Sequence, residues 1–288
     1  MMKSNVVSVL LRMINTEINL SEDVWSASIC NCTITLCNLL ISVDTRARAI
    51  EGKAFDSVIM LLQRQQKLQE QQICCDAILT LTNTAEVAGE MRKANTLGVI
   101  VRLLASPDPG IIKSVVLILK ALCKDKKTCT TFCALRPDSL PYLVNLLTTP
   151  DEEIVLNILI VISMAIGTTS MRKRMVQAGV ESIVYLCGGA NKEIQIWCAA
   201  ILCALSFTPE CRVPIIQAGA AKGLSIVSGI KEDVNQHRCS IAICNLSAEF
   251  ECRLRMIEDG VTTSLISLSS AHHESIRFNC CKALCNLS

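Results

Sequence analysis

A short phrase, Leu-Cys-Asn-Leu or a close variant of it, recurs along this chain about every forty residues. The main copies begin at Leu36, Leu122, Leu202, Ile243 and Leu284, and weaker ones lie around Leu81 and Ser163. A fixed period of this length predicts one supersecondary unit that is copied and stacked, because a single unit cannot bury its apolar face alone. Stacks of this kind usually bind other chains, so the repeat constrains the function more than any single residue does.

Each unit reads as three helices. Between Gly219 and Gly260 the pattern predicts a short helix, a longer helix that opens at Glu232, and a third short helix. A glycine recurs at the sharp turn before each new unit, where a left-handed backbone is expected. These turn residues are Gly52, Gly98, Gly179, Gly219 and Gly260, and Asp138 falls at the equivalent place in the remaining copy.

The composition fits a stack and excludes several other classes. Hydrophobic residues make up 51% of the chain, which suits helices that pack on more than one side. The longest apolar run is shorter than the about 20 residues that span a bilayer, and the N-terminus shows no secretion signal. A net charge of +2 and an aromatic content of 3% argue against nucleic acid, which calls for basic stripes with interleaved aromatics.

The 18 cysteines follow the repeat. They recur as Cys-x4-Cys pairs on the predicted long helices, for example at Cys239 and Cys244. We interpret them as reduced core residues, which indicates the cytosol or the nucleus. Metal binding is the alternative, and it would require closer thiol spacing or more than the three histidines present. No phosphate loop, Gly-x-Ser-x-Gly or His-Glu-x-x-His motif occurs, so we predict no enzyme, cofactor, metal or small-molecule substrate.

The three helices per unit, the glycine before the second helix and the ending Ala283-Leu284-Cys285-Asn286-Leu287-Ser288 resemble the armadillo repeat of catenins and importins. The resemblance covers the whole chain and implies an all-α, right-handed α-solenoid of about seven units in one array. Their predicted ranges are 1–51, 52–97, 98–137, 138–178, 179–218, 219–259 and 260–288, the first and last being incomplete. The two-helix HEAT stack is the alternative, but it does not need the recurring glycine.

In armadillo arrays the long helices line a concave groove, and asparagines at one position bind the backbone of a peptide ligand. We call the third residue of each phrase the register position; it reads Asn38, Asn83, Lys124, Ala165, Ala204, Asn245 and Asn286. Import adaptors carry tryptophan four residues earlier. The chain has Ile34, Leu79, Lys120, Val161, Ala200, Ile241 and Lys282 there. The import-adaptor site is therefore absent.

The position seven residues before the register adds Ile158, Trp197 and Arg238. The three columns predict a groove with an apolar middle, anchored by Trp197, and polar or basic flanks. The predicted partner-binding residues are Asn38, Asn83, Lys120, Lys124, Ile158, Val161, Trp197, Arg238, Ile241, Asn245, Lys282 and Asn286. The alternatives are that Trp197 packs between units and that the asparagines only face solvent.

We therefore predict a non-enzymatic scaffold or adaptor that holds a peptide or an amphipathic helix in its groove. A structural component of the axoneme or cytoskeleton is the alternative, and a nuclear-transport adaptor or a nucleic-acid-binding solenoid fits less well. The expected location is the cytoplasm, with the cilium, cytoskeleton or nucleus as alternatives. Neither end shows a polar capping unit, so we expect a segment of a longer array or a partner at the ends.

Overall fold

The computed structural model describes residues 9–10, 12–13, 28, 31–36, 47, 54–64, 67–82, 94–135 and 139–288. Every regular element within these ranges is a helix, which confirms the all-α prediction. None of the helices described is long and apolar enough to cross a membrane. The chain packs as two compact units, Met1–Ser139 and Leu140–Ser288. The single array with its seven predicted ranges stays a prediction.

The first unit contains two long helices that pack side by side. Its described elements are α1 (Ala54–Arg64), α2 (Leu68–Leu81), α3 (Ala94–Arg102) with a 3-10 turn at Leu103–Ala105, α4 (Pro109–Cys123) and α5 (Lys126–Ala134). Asp108 caps α4 by accepting from two backbone N–H groups, at 2.8 and 3.2 Å. The Ser114 hydroxyl on α4 donates to Asp76 on α2 at 2.9 Å, which ties the two long helices together.

The second unit repeats a pattern of short, long and short helices. Its elements are α6 (Leu140–Leu146), α7 (Glu152–Ala165), α8 (Thr169–Ala178), α9 (Glu181–Leu186), α10 (Lys192–Ser206), α11 (Pro209–Gln217), α12 (Ala220–Ser228), α13 (Asp233–Ser247), α14 (Phe250–Glu258), α15 (Val261–Leu268) and α16 (Glu274–Leu287). The long helices α7, α10, α13 and α16 stack in chain order. The short helices form two separate rows, in which α8, α11 and α14 pack in chain order and so do α9, α12 and α15.

Three of the predicted glycine turns are confirmed. Gly179, Gly219 and Gly260 have φ values of +110°, +94° and +79°, which side chains with a Cβ rarely adopt. The prediction for Gly98 is wrong, because this residue lies inside α3. The sequence around Gly98 contains no capping residue that marks where the helix begins, so a glycine inside the helix could not be told from a glycine in a turn. Gly52 and Asp138 lie outside the described residues.

The basic residues of the short helices have a structural role. Arg172, Arg212 and Arg253 donate through Nε to the carbonyl groups of Ile166, Ser206 and Ser247, at 3.1, 2.9 and 3.1 Å. Each guanidinium thus binds the C-terminal end of the preceding long helix, where carbonyl groups lack helical partners and the helix dipole is negative. Arg212 also forms an ion pair with Glu249 of the next repeat at 2.7 Å. The carbonyl contacts join helices of the same repeat, and the Arg212–Glu249 pair joins two successive repeats.

Most of the cysteines described are buried, which confirms their interpretation as core residues. Cys198, Cys203, Cys239, Cys244 and Cys280 all lie in the core of the second unit, whereas Cys285 is exposed. Burial raises the pKa of the Cys203 thiol to about 11, and the nearby guanidinium of Arg238 opposes that rise. Such thiols stay protonated at neutral pH and pack as small apolar side chains.

Candidate functional site

One stripe on each of α10, α13 and α16 stays open to solvent. It runs through positions i, i+3 and i+7 of each helix, which share one side. The stripe consists of Trp197, Ala200 and Ala204 on α10, Arg238, Ile241 and Asn245 on α13, and Asn279, Lys282 and Asn286 on α16. Lys282 is exposed and the other eight are half-buried. We call these nine residues the open face.

Asparagines on the open face bind serines of the preceding long helix. The Asn245 Nδ2 donates to the Ser206 hydroxyl at 3.1 Å, and the Asn286 Nδ2 donates to the Ser247 hydroxyl at 3.0 Å. Both hydroxyls donate in turn to backbone carbonyls of their own helices, at 2.7 and 2.9 Å. Each hydroxyl therefore accepts from the amide nitrogen, which sets the amide orientation. The amide keeps its Oδ1 and a second N–H for other partners.

Two cations lie beside these amides. Arg238 on α13 and Lys282 on α16 have no ion-pair partner within residues 139–288, all of which the structure describes. Burial raises the pKa of the Cys244 thiol, and the ammonium group of Lys282 opposes that rise. Lys282 thus lies near Cys244 on the preceding long helix. In the same way, Arg238 lies near Cys203 on the long helix that precedes its own. The open face therefore carries positive charge next to its hydrogen-bonding groups.

The structure moves two predicted residues into the core. Ile158 and Val161 on α7 are 0% exposed, so neither side chain is available to a partner. When α7 and α13 are aligned on their N-caps, Asp151 and Glu232, the residue that corresponds to Asn245 is Met164 and not Ala165. A shift of one residue turns a helix by about 100°. The aligned equivalents of Arg238 and Ile241 on α7 are Asn157 and Ile160, which are only 5% and 8% exposed, so this part of α7 is covered in either alignment, and of the three aligned positions only Met164 is half-buried.

The predicted positions on α4 are shifted as well. Aligned on its cap Asp108, α4 places Ala121 at the register position, and Lys124 is the C-cap of the helix. Lys124 is exposed and Lys120 is half-buried, so both reach the surface of the first unit, but neither occupies a position equivalent to those of the open face. The predicted Asn38 and Asn83 lie outside the described residues. The predicted Trp197, Arg238, Ile241, Asn245, Lys282 and Asn286 share the open face.

The cap residues were the sequence signal that could have prevented both shifts. Asp151 and Asn191 accept hydrogen bonds from the first backbone N–H groups of α7 and α10. These caps locate the first residue of each helix, whereas the weak phrase around Ser163 does not locate the last residue of α7. Counting forward from the caps places Met164 and Ala204 at equivalent positions.

Comparison with known proteins identifies the fold through structure alone. No protein-family profile and no curated protein matches the chain by sequence. Among solved structures, an engineered protein of the Northeast Structural Genomics Consortium superimposes with a TM-score of 0.76 at 20% identity, covering 98% of this chain and 68% of that one. A computationally designed armadillo repeat protein for modular peptide recognition gives 0.70 at 22% identity, covering 80% and 98%. The chain has an armadillo-type helical repeat fold.

The armadillo-type fold accounts for the three rows of helices in the second unit. A further designed armadillo repeat protein, solved in complex with the peptide (KR)4, superimposes with a TM-score of 0.66 at 20% identity, covering 80% of this chain and 99% of that one. At this level of identity the likeness establishes the fold and not a ligand. The open face belongs to the long helices of the second unit.

Sequence reasoning missed a second surface, on the short helices. Tyr185 is 83% exposed and stands between two depressions of about 500 and 390 Å³. The larger depression is lined by residues that include Gly188, Gly219, Lys222 and Ile226. The only available signal was an aromatic residue in a short helix between two glycine-rich turns, which does not by itself indicate a surface site.

Proposed function

We propose that the protein is a non-enzymatic scaffold whose open face binds a peptide segment of another protein. The observation that carries this proposal is the pair of amides, Asn245 and Asn286, which are held in equivalent positions on adjacent long helices. Each presents an acceptor and a donor to a ligand. Peptide binding by designed proteins of the same fold supports the proposal.

The amides favour an extended peptide over an amphipathic helix. An extended chain without a partner strand offers free N–H and C=O groups along its length, whereas a helix uses nearly all of its own internally. Packed helices lie about 8–10 Å apart, a distance that two to three residues of extended chain span at about 3.3 Å each. One ligand can therefore reach both amides.

Trp197 is the proposed anchor for an apolar side chain of the ligand. Its half-buried indole shares the stripe of α10 with Ala200 and Ala204, whose small side chains leave room beside it. Ile241 extends this apolar area onto α13. Tryptophan is enriched among residues that dominate binding energy, because it buries a large rigid surface. Ile158 and Val161 are left out of the proposed site because of their burial.

The proposed location is the cytoplasm, which the buried unpaired thiols support because reduced thiols persist in reducing compartments. A cytosolic adaptor and a component of the axoneme or cytoskeleton would use the same open face, so the cytoskeletal role stays an alternative. Imaging of the tagged full-length protein distinguishes them. A diffuse signal supports an adaptor, and a signal confined to cilia or filaments supports the alternative.

The test uses a labelled peptide selected from a random library against the protein, with affinity measured by fluorescence anisotropy. Asn245→Ala combined with Asn286→Ala should weaken binding about tenfold or more, because each lost hydrogen bond contributes about 1 kcal/mol. Trp197→Ala should weaken the affinity for the peptide by a similar or larger factor. Asn145→Ala, at an exposed residue on α6, is the matched control. Folded amide and tryptophan variants that bind like the wild type would contradict the proposal.

A further inference from the structure

We propose that the surface around Tyr185 docks a short segment of another protein in which an apolar residue stands between an acidic and a basic one. This surface comprises Tyr185 and the two depressions beside it, and we call it the tyrosine surface. It is built from α9, α12, α14 and adjoining turns, and it includes none of the nine residues of the open face. The inference therefore goes beyond the proposed function and does not depend on it.

The Tyr185 side chain contributes little to the core. It is 83% exposed, far more than the 36% of Tyr142 on α6. Within residues 139–288, all of which the structure describes, its hydroxyl group has no hydrogen-bond partner. Tyrosine is enriched at protein interfaces because its rigid ring buries a large area while the hydroxyl still bonds a polar group. The ring is therefore free to contact a ligand.

The larger depression is lined by a glycine that the fold does not require. Gly219, in the same lining, has a φ of +94°, which explains why a glycine stands there. Gly188 has no positive φ, and a Cβ built on it would meet no atom closer than the Tyr185 carbonyl oxygen, at 3.6 Å. Neither backbone conformation nor packing therefore excludes a larger residue at position 188. A long side chain there would compete with a ligand for the depression.

The two depressions carry opposite charges. The smaller one has Glu181 as its only charged lining residue, and the larger one has Lys222 together with the Arg255–Asp259 pair at 3.3 Å. Glu181 and Lys222 are both exposed, and neither forms an ion pair within residues 139–288. The larger depression is therefore net positive and the smaller one negative. A ligand that matches both charges is attracted at both ends.

An extended peptide can meet the ring and both depressions at once. The two linings share Tyr185 and Leu186, so the depressions lie on either side of one aromatic side chain. In an extended chain, residues i, i+2 and i+4 face the same side and span about 13 Å. The inferred segment has an acidic residue towards Lys222, an apolar residue on the ring and a basic residue towards Glu181. Its charge pattern, and not its hydrophobicity alone, selects it.

The test titrates three peptides into the isotope-labelled protein and follows binding by NMR. The first is Glu-Ser-Phe-Ser-Lys, and the other two carry Glu at both ends or Lys at both ends. The first should bind about threefold to tenfold more tightly than either of the others, and added salt should reduce this preference. Lys222→Glu should shift the preference to the peptide with two Lys residues, and Glu181→Lys should shift it to the peptide with two Glu residues.

Two further variants test the ring and the larger depression. Tyr185→Ala should weaken binding of the first peptide about tenfold, and Gly188→Leu should weaken it by occupying the depression. Both should leave the thermal unfolding temperature nearly unchanged, because the two positions are exposed. Gly229→Leu, in the equivalent turn of the next repeat and outside both linings, is the matched control and should bind like the wild type.

Several results would overturn the proposal. They are the absence of binding by all three peptides at millimolar concentration, equal affinity of the three for the wild type, and unchanged binding by folded Tyr185→Ala protein. Loss of binding in Trp197→Ala would assign the peptides to the open face instead. A dimer in sedimentation equilibrium that Tyr185→Ala disrupts would show that a second copy occupies the tyrosine surface.

Discussion

Helices α13 and α16 carry nearly the same pattern of side chains but bury it differently. On α13 Leu246 is 0% exposed and Cys244 is 6% exposed, whereas the equivalent Leu287 is half-buried and Cys285 is exposed. Long helices flank α13 on both sides, while α16 packs against α13 on one side. The comparison shows that burial in a stack is set by the neighbouring unit and not by the residue itself.

The largest expected effect compares one leucine at equivalent positions of the two helices. Leu246→Ala should lower the free energy of unfolding by about 2–5 kcal/mol, because it empties a fully packed site. Leu287→Ala should cost about 1 kcal/mol or less, since its side chain is already half in water. Urea unfolding curves of the two variants and the wild type measure both values. Equal losses would break the comparison.

The next prediction sharpens the comparison with two adjacent thiols on α16. Cys280 is buried and Cys281 is exposed, whereas both equivalent positions on α13, Cys239 and Ser240, are buried. A water-soluble thiol reagent should therefore modify Cys281 about a hundredfold or more faster than Cys280 at pH 8, since access and thiolate fraction both control the rate. Cys281→Ser should remove the fast labelling at position 281 while the exposed Cys285 stays reactive, and Cys280→Ser should leave both intact.

The pH dependence of the buried thiol follows from its pKa. Burial, with smaller contributions from Cys281 and Cys244, raises the pKa of Cys280 from 9.0 to about 11. In the unfolded chain the thiol ionises near pH 9, so its burial stabilises the fold below that pH, and the contribution falls as the pH rises towards 11. Cys280→Ala should reduce the loss of stability between pH 9 and 11. An unchanged pH profile would contradict this assignment.

The smallest expected effect concerns the arginines that bind the C-terminal ends of the long helices. Arg212 binds both the Ser206 carbonyl and Glu249, whereas Arg253 binds the Ser247 carbonyl and lies over the Phe250 ring at 5.5 Å. Arg212→Gln should cost about 1–2 kcal/mol of unfolding free energy, and Arg253→Gln about 0.5–1 kcal/mol. Thermal melts at low and high salt check the order. A larger loss for Arg253→Gln would reverse the comparison.

The sequence predicted the fold well where the repeat is strong. The long helices α10, α13 and α16 and the turns at Gly219 and Gly260 follow from the period and from glycine conformation. The site was predicted less well on α7 and α4, because the register residues taken from the phrase, Ala165 and Lys124, lie one and three residues beyond the positions counted from the helix starts. On α7 the aligned positions Asn157 and Ile160 are buried too, so burial there follows from packing that the sequence period does not reveal.

The contacts between units could not be predicted from the sequence. The bonds from Asn245 to Ser206 and from Asn286 to Ser247 depend on how far adjacent long helices slide past each other. Sequence periodicity fixes the side of a helix but not this offset. The lack of a partner for Arg238 is likewise a property of all the side chains around it, and no motif reveals it.

Because Ser206 and Ser247 belong to the preceding long helices, two helices position each amide at once. The distance between Asn245 and Asn286 is therefore fixed by core packing and not by side-chain rotamers. For the extended peptide that we propose as the ligand, the two amides would therefore offer attachment points at a fixed spacing. A partner that gains or loses one residue between its two points of attachment would fall out of step and keep only one of them.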